Sequence, residues 1–206
     1  MNAETTQRIS VIGLGYIGLP TAAMMARTGR SVTGMDVSAH VVETINKGQV
    51  HIEENDLDAL VQEVVAKGHL RASTSVAPAD VFVIAVPTPI RENNAPDIDY
   101  VLKAAASIAP VLEKGNLVIL ESTSPVGTTD AICALFAKDR PDLAVAGHCD
   151  GAPDVAVAYC PERVLPGRIL IELIENDRCI GGITPGCAAQ AAAFYRQFVQ
   201  GECIET

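Results

Sequence analysis

The sequence predicts an α/β fold: a doubly wound, mostly parallel sheet with helices on both faces. Three observations predict it. Short apolar runs that read as strands alternate along the whole chain with helical stretches. Several of these runs, such as Val81-Phe82-Val83-Ile84, are apolar without interruption, the pattern of a strand covered on both faces. The first strand-to-helix connection is the glycine turn Gly13-Leu14-Gly15-Tyr16-Ile17-Gly18, with an acidic residue, Asp36, about twenty residues further on.

The apolar run Ile9-Ser10-Val11-Ile12 leads into that turn, and Thr21-Ala22-Ala23-Met24-Met25-Ala26 leads out as a helix. Gly13 permits a tight turn, Gly15 lets backbone approach a pyrophosphate with no Cβ in the way, and Gly18 lets the helix pack closely on the strand. The helix start offers unpaired N–H groups and a positive dipole end to phosphates. A second strand, Ser31–Met35, ends at Asp36. Its carboxylate accepts hydrogen bonds from an adenosine ribose and repels a 2′-phosphate, which favours NAD over NADP. Strand, turn, helix and acid in this order predict a dinucleotide-binding domain of the Rossmann type.

Ser38 is the expected N-cap of a helix over Ala39–Asn46, closed by Lys47-Gly48. Leu57, Leu60, Val61, Val64 and Val65 mark an amphipathic helix over 56–67, stopped by Gly68. Strands follow over Leu70–Ser73 and 80–86; Pro87-Thr88-Pro89 ends the second, and a polar loop runs on to Asp99. Residues 100–112 read as helix and Asn116–Leu120 as the next buried strand, which ends in Glu121-Ser122-Thr123-Ser124-Pro125-Val126-Gly127-Thr128-Thr129. Pro125 suits the first turn of a helix running to about Lys138, with Ser122 and Thr123 as candidate caps. Residues 140–153, with two prolines and two glycines, form a surface connection. Strands are expected over Val155–Tyr159, 178–180 and 202–205, with helices over 169–174 and 185–199. With no internal repeat and no domain boundary, residues 1–206 read as one domain.

The formal net charge of −10 argues against a nucleic-acid or anionic-membrane surface. No apolar run reaches the length of a membrane span. Residues 1–8 lack the basic start and apolar core of a signal peptide, so a cytoplasmic location is expected. The six cysteines are scattered without metal-ligand spacing and read mostly as small buried hydrophobes, and His40, His51, His69 and His148 are unpaired, so no metal site is expected.

Ligands of such sheets sit beyond the carboxyl ends of the strands. Those ends carry Gly13 to Gly18, Asp36, Pro87-Thr88, Glu121-Ser122-Thr123 and Cys160-Pro161-Glu162-Arg163. Four segments there resemble the UDP-glucose/GDP-mannose dehydrogenase family. They are Val11-Ile12-Gly13-Leu14-Gly15-Tyr16-Ile17-Gly18-Leu19-Pro20, Ala85-Val86-Pro87-Thr88-Pro89, Ser122-Thr123-Ser124-Pro125-Val126-Gly127-Thr128-Thr129 and Tyr159-Cys160-Pro161-Glu162-Arg163-Val164-Leu165-Pro166-Gly167. Within the family, the Pro-Glu-Arg-Val-Leu-Pro-Gly run and Glu172-Leu173-Ile174-Glu175-Asn176-Asp177-Arg178 are similar to the branch that oxidises UDP-N-acetyl-D-mannosamine. UDP-glucose-specific members carry Phe and a second Glu where this chain has Arg163 and Pro166.

The resemblance implies a reaction: C6 of a nucleotide sugar passes from primary alcohol to carboxylate with two NAD, supplying a bacterial surface polysaccharide. UDP-N-acetylglucosamine and UDP-glucose are the alternative substrates, and a stand-alone, non-catalytic NAD-binding module is the reading from another class. By the same resemblance Tyr16, Ile17 and Asp36 contact NAD, with Thr88, Thr123 and Thr129 as further cofactor-side residues. Thr123 and Glu162 stand near the reacting centre, where Glu162 positions or activates water, and Glu162, Arg163 and Val164 contact the UDP-sugar. From the residues alone, Glu162 is equally an ion-pair partner of Arg163 or of another basic residue.

The family's nucleophilic cysteine lies in a Gly-Gly-His-Cys motif, and its lysine and asparagine on a long central helix; none of these is matched within residues 1–206. The expectation is an NAD-binding half, inactive alone, of an enzyme that works as a homodimer. Gly147-His148-Cys149-Asp150 imitates the nucleophile motif but lacks its second glycine and the Asp-Pro that follows. Cys160, beside Pro161-Glu162, reads as packing.

Overall fold

The computed structural model describes residues 7–91 and 96–206. The signal-peptide reading over residues 1–8 and the middle of the loop before Asp99 fall largely outside them. The elements run β1 (Arg8–Ile12), α1 (Gly18–Arg27), β2 (Ser31–Met35), α2 (Ala39–Asn46), α3 (Leu57–Ala66), β3 (Leu70–Ser73), β4 (Val81–Ile84) and α4 (Asp99–Ile108). A short 3-10 turn over Ala109–Val111 follows, then β5 (Asn116–Leu120), α5 (Thr128–Asp139), β6 (Val155–Tyr159), α6 (Ile169–Glu175), β7 (Arg178–Gly182), α7 (Pro185–Tyr195) and β8 (Cys203–Glu205).

The sheet order is β3-β2-β1-β4-β5-β6-β7-β8. All pairings from β3 to β6 are parallel, as expected, but β7 runs antiparallel to β6 before β8 returns parallel to it. The order reverses beside β1, whose neighbours are β2 and β4, so a crevice opens at the carboxyl ends of β1 and β4. Alternation along each strand feeds two cores. Val81 and Val83 join Ile9, Val11 and Ile119 under α1, α3 and α7, whereas Phe82 and Ile84 join Val118, Leu120 and Val157 under α4 and α5. Both faces being covered, β4 reads as an unbroken apolar run.

Ser38 caps α2 as expected, its Oγ accepting from the Val41 N–H at 3.4 Å. Asn46, at the end of α2, both donates to Ala72 O (2.9 Å) and accepts from Ala72 N (2.8 Å), covering the edge strand β3. Several bounds differ from the sequence reading. The strand expected over 80–86 is regular only from Val81 to Ile84, because beyond it Val86 O takes the Ser122 hydroxyl in place of a strand N–H and Pro87 has no N–H to pair. Pro125 does not open α5: Gly127, at φ +89°, caps it, and the helix starts at Thr128. Ser122 and Thr123 therefore are not its caps. The 140–153 connection is anchored inward, with Val145 and Ala146 buried and a parallel bridge from Val145 to Val155. Of the six cysteines Cys133, Cys160 and Cys187 are buried, and the other three are partly exposed. No helix among the described residues is long and apolar enough to cross a membrane.

Candidate functional site

Each glycine of the first turn meets a different constraint. Gly13 sits at φ +93°, where a Cβ would lie 2.6 Å from Ala85 O. A Cβ on Gly18 would lie 1.8 Å from Gly13 O, so only glycine lets α1 close on the turn. Gly15 is the opposite case: nothing lies within 4 Å of the place its Cβ would take. The small residue there is not required by the protein's own packing, and the open space fits a ligand that approaches backbone. Among the described residues the N–H groups of Tyr16 and Ile17 donate to no protein atom, and α1 points its positive end at them.

Asp36, at the end of β2, ties the turn to the second strand. Its Oδ2 accepts from Leu14 N at 3.0 Å and its Oδ1 from Ser38 N at 2.9 Å. Each carboxylate oxygen keeps acceptor capacity for a hydroxyl pair.

Beyond the turn, a cleft of about 240 Å³ lies between the ends of β4 and β5 and residues 160–164. Ile17, Thr88, Ser122, Thr123, Glu162 and Val164 all line it. The Thr88 hydroxyl donates to Thr123 O at 2.6 Å and the Ser122 hydroxyl to Val86 O at 2.6 Å, which locks the two strand ends together. Thr129 stands apart, in a neighbouring cleft with Gly127, Tyr159 and Ile183. Arg163 is exposed beside the site.

Glu162 is not paired with the Arg163 guanidinium. Its Oε1 accepts the Arg163 backbone N–H at 2.5 Å, and its charged neighbour is Arg178 of β7, with Nη1 at 3.5 Å from Oε2. The Glu162 side chain is 8% exposed, and Oε2 has no hydrogen-bond partner among the described residues. Burial pushes this carboxyl up, and Arg178 only partly offsets the shift.

Beneath the cleft lies a group that sequence reasoning missed. Glu121, fully buried just past β5, accepts from Tyr195 Oη at 2.7 Å and from the Thr21 hydroxyl at 3.4 Å. Arg178 Nη1 stands 3.8 Å from Glu121 Oε1, while its Nη2 donates to Leu173 O at 3.2 Å and its guanidinium stacks 4.6 Å from the Tyr195 ring. Burial raises Glu121 to about 7 against the pull of Arg178. The available signal was a glutamate directly after the four apolar residues Leu117 to Leu120, where a charge needs a buried partner. Cys160 touches the same arginine, Sγ to Nη1 at 3.7 Å, but burial pushes its thiol up to about 12, which suits packing and not nucleophilic attack. Cys149 sits in the surface connection, its thiol 3.9 Å from Gly151 O.

An open glycine at a helix start, an acid at the end of the neighbouring strand and a cleft at the reversal of strand order define a dinucleotide-binding domain of the Rossmann type. The chain belongs to the UDP-glucose/GDP-mannose dehydrogenase family, whose NAD binding domain matches residues 7–199. It is 56% identical over 206 residues to the UDP-N-acetyl-D-mannosamine dehydrogenase of Yersinia pestis, covering all of this chain and 48% of that protein. It is 54% identical over 198 residues to the NDP-N-acetyl-D-galactosaminuronic acid dehydrogenase of Ralstonia nicotianae, covering 96% and 47%. The UDP-N-acetyl-mannosamine dehydrogenase structure from Staphylococcus aureus superposes with a TM-score of 0.89 at 42% identity, covering 97% of this chain and 47% of that one. The chain spans about half the length of the curated relatives it matches.

Proposed function

We propose that this chain is the NAD-binding half of a UDP-N-acetyl-D-mannosamine 6-dehydrogenase, a cytoplasmic homodimer in its complete form. The supporting observation is the convergence of Thr88, Thr123 and Glu162 on one cleft beside the glycine turn. Asp36 holds the adenosine ribose, the turn at Gly15, Tyr16 and Ile17 receives the pyrophosphate, and the nicotinamide end reaches Thr88 and Thr123. When bound, NAD supplies the two-electron oxidant for each of two oxidations of C6. Glu162, which lines the cleft and whose carboxyl burial pushes above its ordinary value, accepts a proton from a hydroxyl or water beside that carbon. Val164 and Arg163 extend the cleft wall toward the sugar nucleotide. The thiol, lysine and asparagine of the family's chemistry lie outside residues 1–206, so this chain alone binds NAD without oxidising any sugar.

A steady-state assay tests the substrate, using the chain joined to the second half that its relatives carry. UDP-N-acetylmannosamine is expected to give the highest kcat/KM in a panel with the UDP forms of N-acetylglucosamine, N-acetylgalactosamine and glucose. Faster turnover of UDP-glucose would overturn the substrate; no turnover of any sugar would return the chain to a binding module.

A further inference from the structure

The chain between β6 and α6 forms no helix or strand, yet it supplies one wall of the cleft. Glu162 and Val164 line the cleft there, and Arg163 stands exposed beside it. A segment without a ladder must find its hydrogen bonds elsewhere. At the near end Glu162 N donates to Glu121 O at 3.2 Å. Further along, Leu165 N donates to Glu172 Oε2 at 2.8 Å and Asn176 Nδ2 donates to Arg163 O at 3.5 Å. Those two bonds tie the segment to α6 and the residue after it.

Another tie comes from 113 residues earlier in the chain. Residues 47–56, which lead from α2 to α3, bring Glu54 to the turn at Gly167. Its Oε2 accepts Gly167 N at 2.7 Å and its Oε1 accepts Ile169 N at 2.9 Å. Among the described residues neither N–H has another acceptor. Asn55 completes the clasp, its Nδ2 donating to Gly167 O at 2.8 Å. Asp56, at φ +61° the one non-glycine residue at positive φ among the described residues, then turns the chain directly into α3.

Packing carries this order to the cleft. Ile169 and Leu173 of α6 pack on Met24 of α1, and Val164 packs against the same cluster. On the other side of the clasp, Val50 and Ile52 pack against the main core, so Glu54 is mounted on a fixed support. Glu54 itself lies outside the cleft.

We propose that Glu54 is a positioning residue: by clamping the backbone of Gly167 and Ile169, it holds Val164 and Arg163 where they meet the sugar nucleotide. The inference rests on the proposed role of that wall. A wall ordered before substrate arrives binds at full affinity. One that is ordered in only a fraction of molecules binds more weakly in proportion to that fraction.

Glu54→Ala removes both acceptors, whereas Glu54→Gln keeps one oxygen and turns an NH2 group toward the other N–H. In the complete enzyme the KM for UDP-N-acetylmannosamine is expected to rise about tenfold in Glu54→Ala and about threefold in Glu54→Gln. The KM for NAD and kcat at saturation are expected to stay near the parent values. In the 206-residue chain, hydrogen exchange at the Gly167 and Ile169 amides is expected to quicken by about tenfold in Glu54→Ala, and the Val164 methyl signals to shift. A loss of stability alone would lower kcat through the active fraction and leave both KM values in place. Val164→Ala tests the wall itself and is expected to raise the sugar KM alone. Exchange and Val164 signals unchanged from the parent would overturn the clasp. An opened clasp with an unmoved sugar KM, while Val164→Ala raises it, overturns the positioning role and leaves the wall standing; so does an equal rise in the KM for NAD. A sugar KM unmoved in all three variants overturns the wall, and the inference with it.

Discussion

Gly15→Ala is expected to fold with unchanged stability and to lose NAD affinity by at least about a hundredfold, or about 2.7 kcal/mol. Nothing in the protein lies within 4 Å of the added methyl, and Gly15 is not at positive φ, so the native chain has no steric objection to it. Any loss of binding must then come from a ligand that occupies that space. Gly18→Ala is the control in the opposite sense. Its Cβ would fall 1.8 Å from a backbone oxygen, which forces α1 off the turn and destabilises by about 3 kcal/mol or more. Paired thermal melts and NAD titrations separate the two. Gly15→Ala binding NAD as tightly as the parent would mean that the pyrophosphate does not pass over this residue.

Arg178→Met carries the largest expected stability effect, and the effect depends on pH. The substitution keeps most of the apolar stem but leaves two nearly buried carboxylates without a cation, which costs about 3–5 kcal/mol when both are ionised. Glu121 is already raised to about 7 with the arginine present, above its ordinary 4.5. The folded state therefore binds the proton more tightly than the unfolded state. That stabilisation is complete below the ordinary value and is lost as pH rises through about 7. Removing Arg178 raises both acids further, so protonation rescues the variant at low pH. The melting temperature is expected to fall by about 10 °C at pH 8 and by much less at pH 5. A gap of equal size at both pH values would assign the loss to packing against Tyr195 instead.

Much of this molecule was legible because its signals are local. Ala39–Asn46, Leu70–Ser73, Asn116–Leu120 and Val155–Tyr159 are bounded by caps, glycines or polar residues next to apolar runs, and they form as read. Gly13 and Gly18 carry their turn geometry in their own missing side chains. Pro125 misled because proline fits a helix start, whereas the left-handed Gly127 places the start later. The antiparallel sense of β7 was hidden because a seven-residue α6 and its flanking loops do not specify whether the chain crosses over or turns back. Glu162 was named, with its partner left open between Arg163 and another basic residue. The cation comes from β7, and Glu121 beside it from the end of β5, so their meeting is a property of the sheet and not of any one segment.

The most direct test of how this domain holds its cofactor is a backbone amide chemical-shift map of the 206-residue chain titrated with NAD. The expected result is saturable shifts at Gly15, Tyr16 and Ile17, at Asp36, and at Thr88, Thr123 and Glu162, with NADP producing them only at much higher concentration. Shifts confined to the glycine turn, with Thr88, Thr123 and Glu162 unmoved, would contradict it, as would equal responses to NAD and NADP.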